Sequence, residues 1–231
     1  MQSKTPAPDI VYLLRSDIVN TDELRYSMRT LDNLPHGKVW TAGGVPKGLK
    51  PDRALEIRQL GTTKWQRSTY ALKQACKVKE LSQEFYLFND DFFILQPTDR
   101  IPAIYNGTLE DRIKSLGVSL YSTQLKQTAQ ELKHRGLTTY SYAVHIPMLI
   151  DKDKALEVLN VFDGYYMFRS LYGNYWQIGG EDMADVKIHK QHELPGEDAR
   201  YVSTADMSFK YGEVGRYIRQ TFSRPSRYEE V

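Results

Sequence analysis

The sequence predicts an α/β fold: one layered domain over residues 1–231, with a mixed sheet flanked by helices. Two observations predict it. Short apolar runs rich in β-formers alternate with stretches whose apolar residues recur at helical spacing. The composition is that of an ordinary globular chain, 41% hydrophobic and 26% charged over 231 residues, so a sizeable core can form. No internal repeat or low-complexity tract interrupts the alternation, and no stretch compels a domain boundary.

Asp9-Ile10-Val11-Tyr12-Leu13-Leu14 reads as the first buried strand. Thr21 then suits a helix cap. Asp22 and Glu23 favour the positive end of that helix's dipole, and Leu24, Met28 and Leu31 give it an apolar stripe. Residues 38–42 read as a second strand stopped by Gly43-Gly44, and the alternation over 55–60 as a third. A helix is predicted over 68–81, with Ala71, Leu72, Ala75 and Val78 facing inward. Two apolar runs, 85–88 and 92–95, flank Asn89-Asp90-Asp91. Further helices are predicted over 109–116, 123–135, 152–162 and 211–222, and a strand around 140–144 that ends before His145. Asn106-Gly107-Thr108 reads as a turn followed by a helix cap, and 191–200 as a surface loop.

Charge and cysteine content narrow the partners. The 31 basic and 29 acidic residues nearly cancel, leaving +2 and no overall field for nucleic acid or an anionic membrane. Cys76 is the one cysteine, so no intramolecular disulfide forms, which fits a reducing compartment. The first residues lack the apolar segment of a secretory signal, and no apolar run approaches the ~20 residues that span a bilayer. A cytoplasmic chain without a membrane span is the expectation.

The candidate chemistry centres on Asn89-Asp90-Asp91. Two adjacent carboxylates between apolar runs are costly unless compensated, and a hard divalent cation is one compensation. A tight turn with solvated aspartates is the other. His145 has a ring suited to proton transfer near neutral pH, although lone histidines are more often structural. Arg25 and Arg29 lie four apart on one helical face, where a solvated stripe competes with an anion-binding role for Arg25. Gly43-Gly44 and Gly179-Gly180 lack phosphate-loop spacing, and Glu181-Asp182 reads as a helix N-terminus.

Taken in order, the segments 22–29, 85–93, His145-Ile146-Pro147 with Phe168-Arg169-Ser170, and 222–229 resemble the Stealth family of capsular-polysaccharide phosphotransferases and relatives of the lysosomal-enzyme N-acetylglucosamine-1-phosphotransferase. Phe85-Tyr86-Leu87-Phe88-Asn89-Asp90-Asp91-Phe92-Phe93 is similar to its most recognisable block. Asp22-Glu23-Leu24-Arg25-Tyr26-Ser27-Met28-Arg29 resembles the block's start, and His145-Ile146-Pro147 with Phe168-Arg169-Ser170 resembles its third region. Phe222-Ser223-Arg224-Pro225-Ser226-Arg227-Tyr228-Glu229 resembles the closing block. The family's first motif is not matched: Asp9-Ile10-Val11-Tyr12 continues as Leu13-Leu14-Arg15-Ser16-Asp17, without tryptophan or glycine.

The resemblance implies a GT-A-like nucleotide-diphosphosugar fold. It also implies transfer of a sugar-1-phosphate from a UDP-sugar to an acceptor hydroxyl, on a glycan first and a nucleic acid second. A divalent cation, magnesium or manganese, would assist. His145 would deprotonate the acceptor, while Asp91 and Asp90 would hold the metal. Arg169 and Arg25 would clamp phosphate, and Asn89 and Asp9 would help bind the nucleotide-sugar. Asp22 and Asp206 are weaker members of the set. Two alternatives stand beside this. One is transfer of the sugar alone with release of UDP, onto a polysaccharide or a modified nucleobase near the basic residues Lys210, Arg216, Arg219, Arg224 and Arg227. The other is a non-catalytic carbohydrate-binding relative.

Overall fold

The computed structural model describes residues 6–17, 22–44, 46–58 and 60–230. In chain order the strands are β1 (Asp9–Leu13), β2 (Val39–Gly43), β3 (Arg53–Glu56), β4 (Glu84–Phe88) and β5 (Phe92–Ile94). Then follow β6 (Ile104–Tyr105), β7 (Met148–Asp151), β8 (Glu181–Asp182), β9 (Lys187–Ile188) and β10 (Tyr201–Thr204). The helices are α1 (Asp22–Arg29), α2 (Lys64–Ala75), α3 (Leu109–Lys114), α4 (Leu120–His134) and α5 (Lys152–Val161). Next come α6 (Phe168–Tyr175), α7 (Asp206–Tyr211) and α8 (Glu213–Thr221), and a 3-10 turn covers Thr30–Asn33.

The central sheet runs β3-β2-β1-β4-β7 and is mixed: four parallel strands and an antiparallel β7. Its inner strands are apolar on both faces because both are covered. Val11, Phe85, Leu87 and Ile150 pack beneath α2, α4, α5 and α6, while Ile10, Tyr12, Tyr86 and Phe88 face α1 and β5. The expected α/β architecture of a mixed sheet flanked by helices is therefore present. A smaller sheet, β5-β10-β9, lies beside it, and β6 pairs with β8. Helix α1 buries Leu24 and Met28, with Leu31 just beyond, each worth roughly 1.5–3 kcal/mol of apolar burial. Its expected cap, Thr21, falls outside the described residues.

Several boundaries differ from the sequence reading, each for a local reason. Helix α2 starts at Lys64 rather than 68. Thr63 and Gln66 form a reciprocal capping box that satisfies its first amides. Strand β3 starts at Arg53 rather than 55, in register with Trp40–Gly43; part of the predicted run, Gln59, lies outside the described residues. Residues 140–144 form no strand. Their amides are claimed by side chains, Tyr140 by Asn174 and Tyr142 by Ser170, and the strand comes after His145, as β7. Glu181-Asp182 is a short strand, not a helix start, and Asp182 accepts the Gly107 amide. Thr108 does cap α3, and 191–200 is free of helix and strand. Close approach explains Gly215: a Cβ there would strike the Phe209 carbonyl, so α7 and α8 pack against each other only with glycine.

Among the described residues, no helix is long and apolar enough to cross a membrane.

Candidate functional site

The chain lays β1, β2 and β3 outward in one direction, then returns to place β4 on the other side of β1. This reversal opens a crevice at the carboxyl ends of β1 and β4, where open α/β sheets hold ligands. A cleft of about 740 Å³ occupies that position. Asn89, Asp90 and Asp91 enter it from the end of β4, and Leu14 and Arg15 from the end of β1. Because β7 is antiparallel to β4, with Leu87 opposite Met148, the residues before β7 come alongside those after β4. His145 therefore shares the cleft with the acidic residues, although more than fifty positions separate them in sequence.

The acidic segment does not close a hairpin. Strand β4 belongs to the central sheet and β5 to the smaller one, so Asp90 and Asp91 lie where the chain crosses between sheets. Strand β10 pairs with both β5 and β9, which carries Lys187 to Asp91. Lys187 Nζ donates to Asp91 Oδ2 at 2.6 Å, and both side chains are mostly buried. Asp91 Oδ1 is buried without a hydrogen-bond partner. Asp90 is pushed up to about 6, first by desolvation and then by the charge of Asp91. Glu23, reached by the Thr204 hydroxyl at 2.8 Å, is pushed up to about 7 by burial, despite that hydrogen bond, with Asp91, Asp90 and Asp206 adding to the shift. One ammonium thus sits among four carboxylates.

Two residues before Lys187, Asp185 holds His145 twice. Its Oδ1 accepts the His145 backbone amide at 3.0 Å, and its Oδ2 lies 2.8 Å from Nδ1. Desolvation opposes the charge on Asp185, but the His145 ring and amide outweigh it and hold the carboxyl below its usual range. A carboxylate on Nδ1 fixes the proton there and leaves the Nε2 lone pair free. The ring is 30% exposed, and among the described residues Nε2 has no partner.

The other predicted residues separate into distinct roles. Arg169 is a buried part of the cleft lining and fastens its two sides together. Nη1 donates to the Val144 and Ile146 carbonyls, and Nη2 to the Leu87 carbonyl and Asn89 Oδ1, at 2.9–3.1 Å. All four terminal N–H groups are spent, so none is left to clamp a phosphate. Burial lowers this guanidinium to about 10, which leaves it charged at neutral pH. Asn89 is likewise occupied as the Arg169 acceptor. Asp9 sits at the opposite end of β1, where it accepts from the Lys38 amide, the Trp40 indole and the Ser82 amide. The fold does not bring it to the cleft. Arg25 and Arg29 both bind Glu229, Arg29 through two 2.7 Å bonds, so neither forms a solvated stripe and Arg25 does not line the cleft. Asp206 opens α7 within the field of Asp90 and Glu23. Asp22 opens α1 and is exposed.

Sequence reasoning missed Glu23, Asp185, Lys187 and His189 as site residues. A signal existed for two of them: Asp185-Val186-Lys187 alternates charged, apolar, charged, the period that puts both charges on one side of an extended segment. A second, larger cleft of about 1240 Å³ lies between the Leu31–His36 segment and Arg200, and it contains none of the predicted residues.

Among the described residues, no three or more histidine, cysteine or acidic side chains are arranged to hold a metal by themselves. The chemistry of the donor set suits a hard cation only if that cation takes further ligands from elsewhere. Asp91 offers a buried carboxylate oxygen without a partner, and Asp90 and Glu23 carry charge that the fold leaves incompletely compensated.

Compared with known proteins, the chain matches no family model and has no significant match among curated proteins.

Proposed function

We propose that the protein is a GT-A-like transferase that moves a sugar-1-phosphate from a nucleotide-diphosphosugar, a UDP-sugar first, to an acceptor hydroxyl. The observation that carries this reading is the pairing of an Asp185-oriented His145 with the Asp91–Lys187 centre in one crevice at the sheet's switch point. A base with a free lone pair suits a hydroxyl nucleophile, and a carboxylate–ammonium pair suits a phosphate-bearing donor.

His145 Nε2 takes the acceptor proton as the acceptor oxygen bonds to the β-phosphorus. The bond from that phosphorus to the bridging oxygen breaks, UMP leaves, and the product is a sugar phosphodiester. Asp185 steadies the imidazolium that forms. Lys187 stands where its ammonium meets donor phosphate oxygens, and Asp91 holds it there. Magnesium or manganese, held by Asp91 with Asp90, would spread the negative charge of the phosphates. Arg169 acts by positioning: it ties the β4 end, through Asn89, to the segment that carries His145.

The test is product analysis on the purified chain, with a panel of UDP-sugars, Mg²⁺ or Mn²⁺, and simple glycan acceptors. UMP release is expected, reduced at least about tenfold in Asp91→Asn and His145→Ala of native fold. Release of UDP in place of UMP would mean that only the sugar moves. Undiminished turnover in both variants would remove these residues from the mechanism.

A further inference from the structure

Arg112, on α3, lines the same cleft, near enough to Asp185 for its charge to help lower that carboxyl. Its Nε is buried without a hydrogen-bond partner, and among the described residues its guanidinium forms no ion pair within 4 Å. This sets it apart from the other arginines that the fold encloses. Arg169 has its four terminal donors filled, and Arg29 is saturated by Glu229 and two carbonyls. A planar fork of donors, half-enclosed, engaged by the Tyr121 phenol but with its Nε unpartnered and without an ion pair, is a costly arrangement unless something anionic completes it. Tyr121 is a neighbour whose phenol the Arg112 charge influences. Its ring stacks on Trp65 with centroids 6.1 Å apart and planes 20° apart, and both rings line the cleft. Lys64 Nζ lies 5.3 Å from the centre of the Trp65 ring. Aromatic faces accept the apolar face of a sugar, and a guanidinium accepts a phosphate or carboxylate through two parallel bonds.

We propose that Arg112, with the Trp65–Tyr121 pair, forms an acceptor subsite that recognises an anionic group, phosphate or carboxylate, on the sugar presenting its hydroxyl to His145. The assignment to acceptor rather than donor follows from placement. Arg112 flanks the carboxylate that orients the base, whereas the donor reading rests on Asp90, Asp91 and Lys187. The role in transfer rests on the proposed function; the anion subsite itself does not.

Calorimetric titration separates the two. Wild-type protein is titrated with glucose 6-phosphate, glucuronate and glucose, and separately with UDP plus Mg²⁺. At least one anionic sugar is expected to bind about tenfold or more tighter than glucose. Arg112→Gln should abolish that preference, and Arg112→Lys should keep only part of it, because the charge remains while the fork is lost. UDP affinity should be the same in all three proteins. Preference for one anionic sugar supports the subsite and fixes its anion. Unchanged anionic-sugar binding in Arg112→Gln overturns the subsite. A selective loss of UDP binding in that variant overturns its assignment to the acceptor. Absent UDP binding, with glucose 6-phosphate binding intact, overturns the donor reading and leaves the subsite standing.

Discussion

Asp185 contacts His145 at both backbone and ring, so one side chain sets the position and the tautomer of the proposed base. Asp185→Asn keeps the shape but can present an amide N–H to Nδ1, which drives the proton to Nε2 and removes the lone pair. The expected result is a kcat lower by roughly 10²–10⁴, with the donor KM nearly unchanged. A KM effect alone, with kcat intact, would show that Asp185 acts on binding rather than on the base. His145, Asp90 and Asp91 were legible in the sequence because each stands out against its neighbours. Asp185 was not, because its partner lies forty residues away and only the fold joins them. Arg169 was legible as a candidate, but its engagement with the cleft's own backbone was not. No local pattern distinguishes a guanidinium that meets a ligand from one that meets three carbonyls.

At the scale of elements, α1 is strapped to the C-terminal segment. Glu229 is 7% exposed and receives Arg29 through Nε and Nη2 and Arg25 through Nη1, while Arg29 Nη1 caps the Phe222 and Ser223 carbonyls. Burial opposes ionisation of Glu229, but Arg29, the Ser226 amide and Arg25 together hold it down at about 2. Exposed pairs such as Arg15–Asp17 contribute little, whereas removing one partner of an enclosed pair strands a charge. Arg29→Ala should therefore cost about 2–4 kcal/mol by denaturant titration, whereas Arg15→Ala should leave the midpoint where it is. Equal effects would show that the strap contributes nothing beyond a surface pair. Because the Glu229 carboxyl is depressed, its contribution is complete above the ordinary glutamate range and is lost as pH falls toward 2. The helix and the closing Tyr228-Glu229 segment were both visible in the sequence, yet their contact was not. Element boundaries also escaped where side chains captured backbone groups, as Thr63 and Gln66 do for α2.

Across the whole molecule, the near balance of charge conceals an uneven distribution. Glu23, Asp90, Asp91 and Asp206 converge from α1, the end of β4 and the start of α7, with Lys187 as the cation paired among them. The alternation of strands and helices made the layered sheet predictable, but this convergence depends on the smaller sheet, whose two- to four-residue strands leave little periodicity to read. The cluster has a thermodynamic consequence. Glu23 and Asp90 are raised to about 7 and about 6, so the folded protein holds protons that the unfolded chain releases near pH 4. For a raised carboxylate, stability is complete below the unfolded value and is lost as pH climbs through the folded one. Glu23→Gln removes one of these charges while keeping the Thr204 contact. It should leave Tm almost unchanged at pH 5 and raise it by roughly 2–4 °C at pH 8, the shift expected for about 1 kcal/mol once partial exposure is discounted. Mn²⁺ should raise the wild-type Tm at pH 8 more than at pH 5, because protonation competes with cation binding, and Asp91→Asn should remove that gain. Thermal melts at the two pH values, with and without the ion, carry the decision. A Glu23→Gln offset that is the same at both would mean the carboxylates are not coupled to folding as their burial requires.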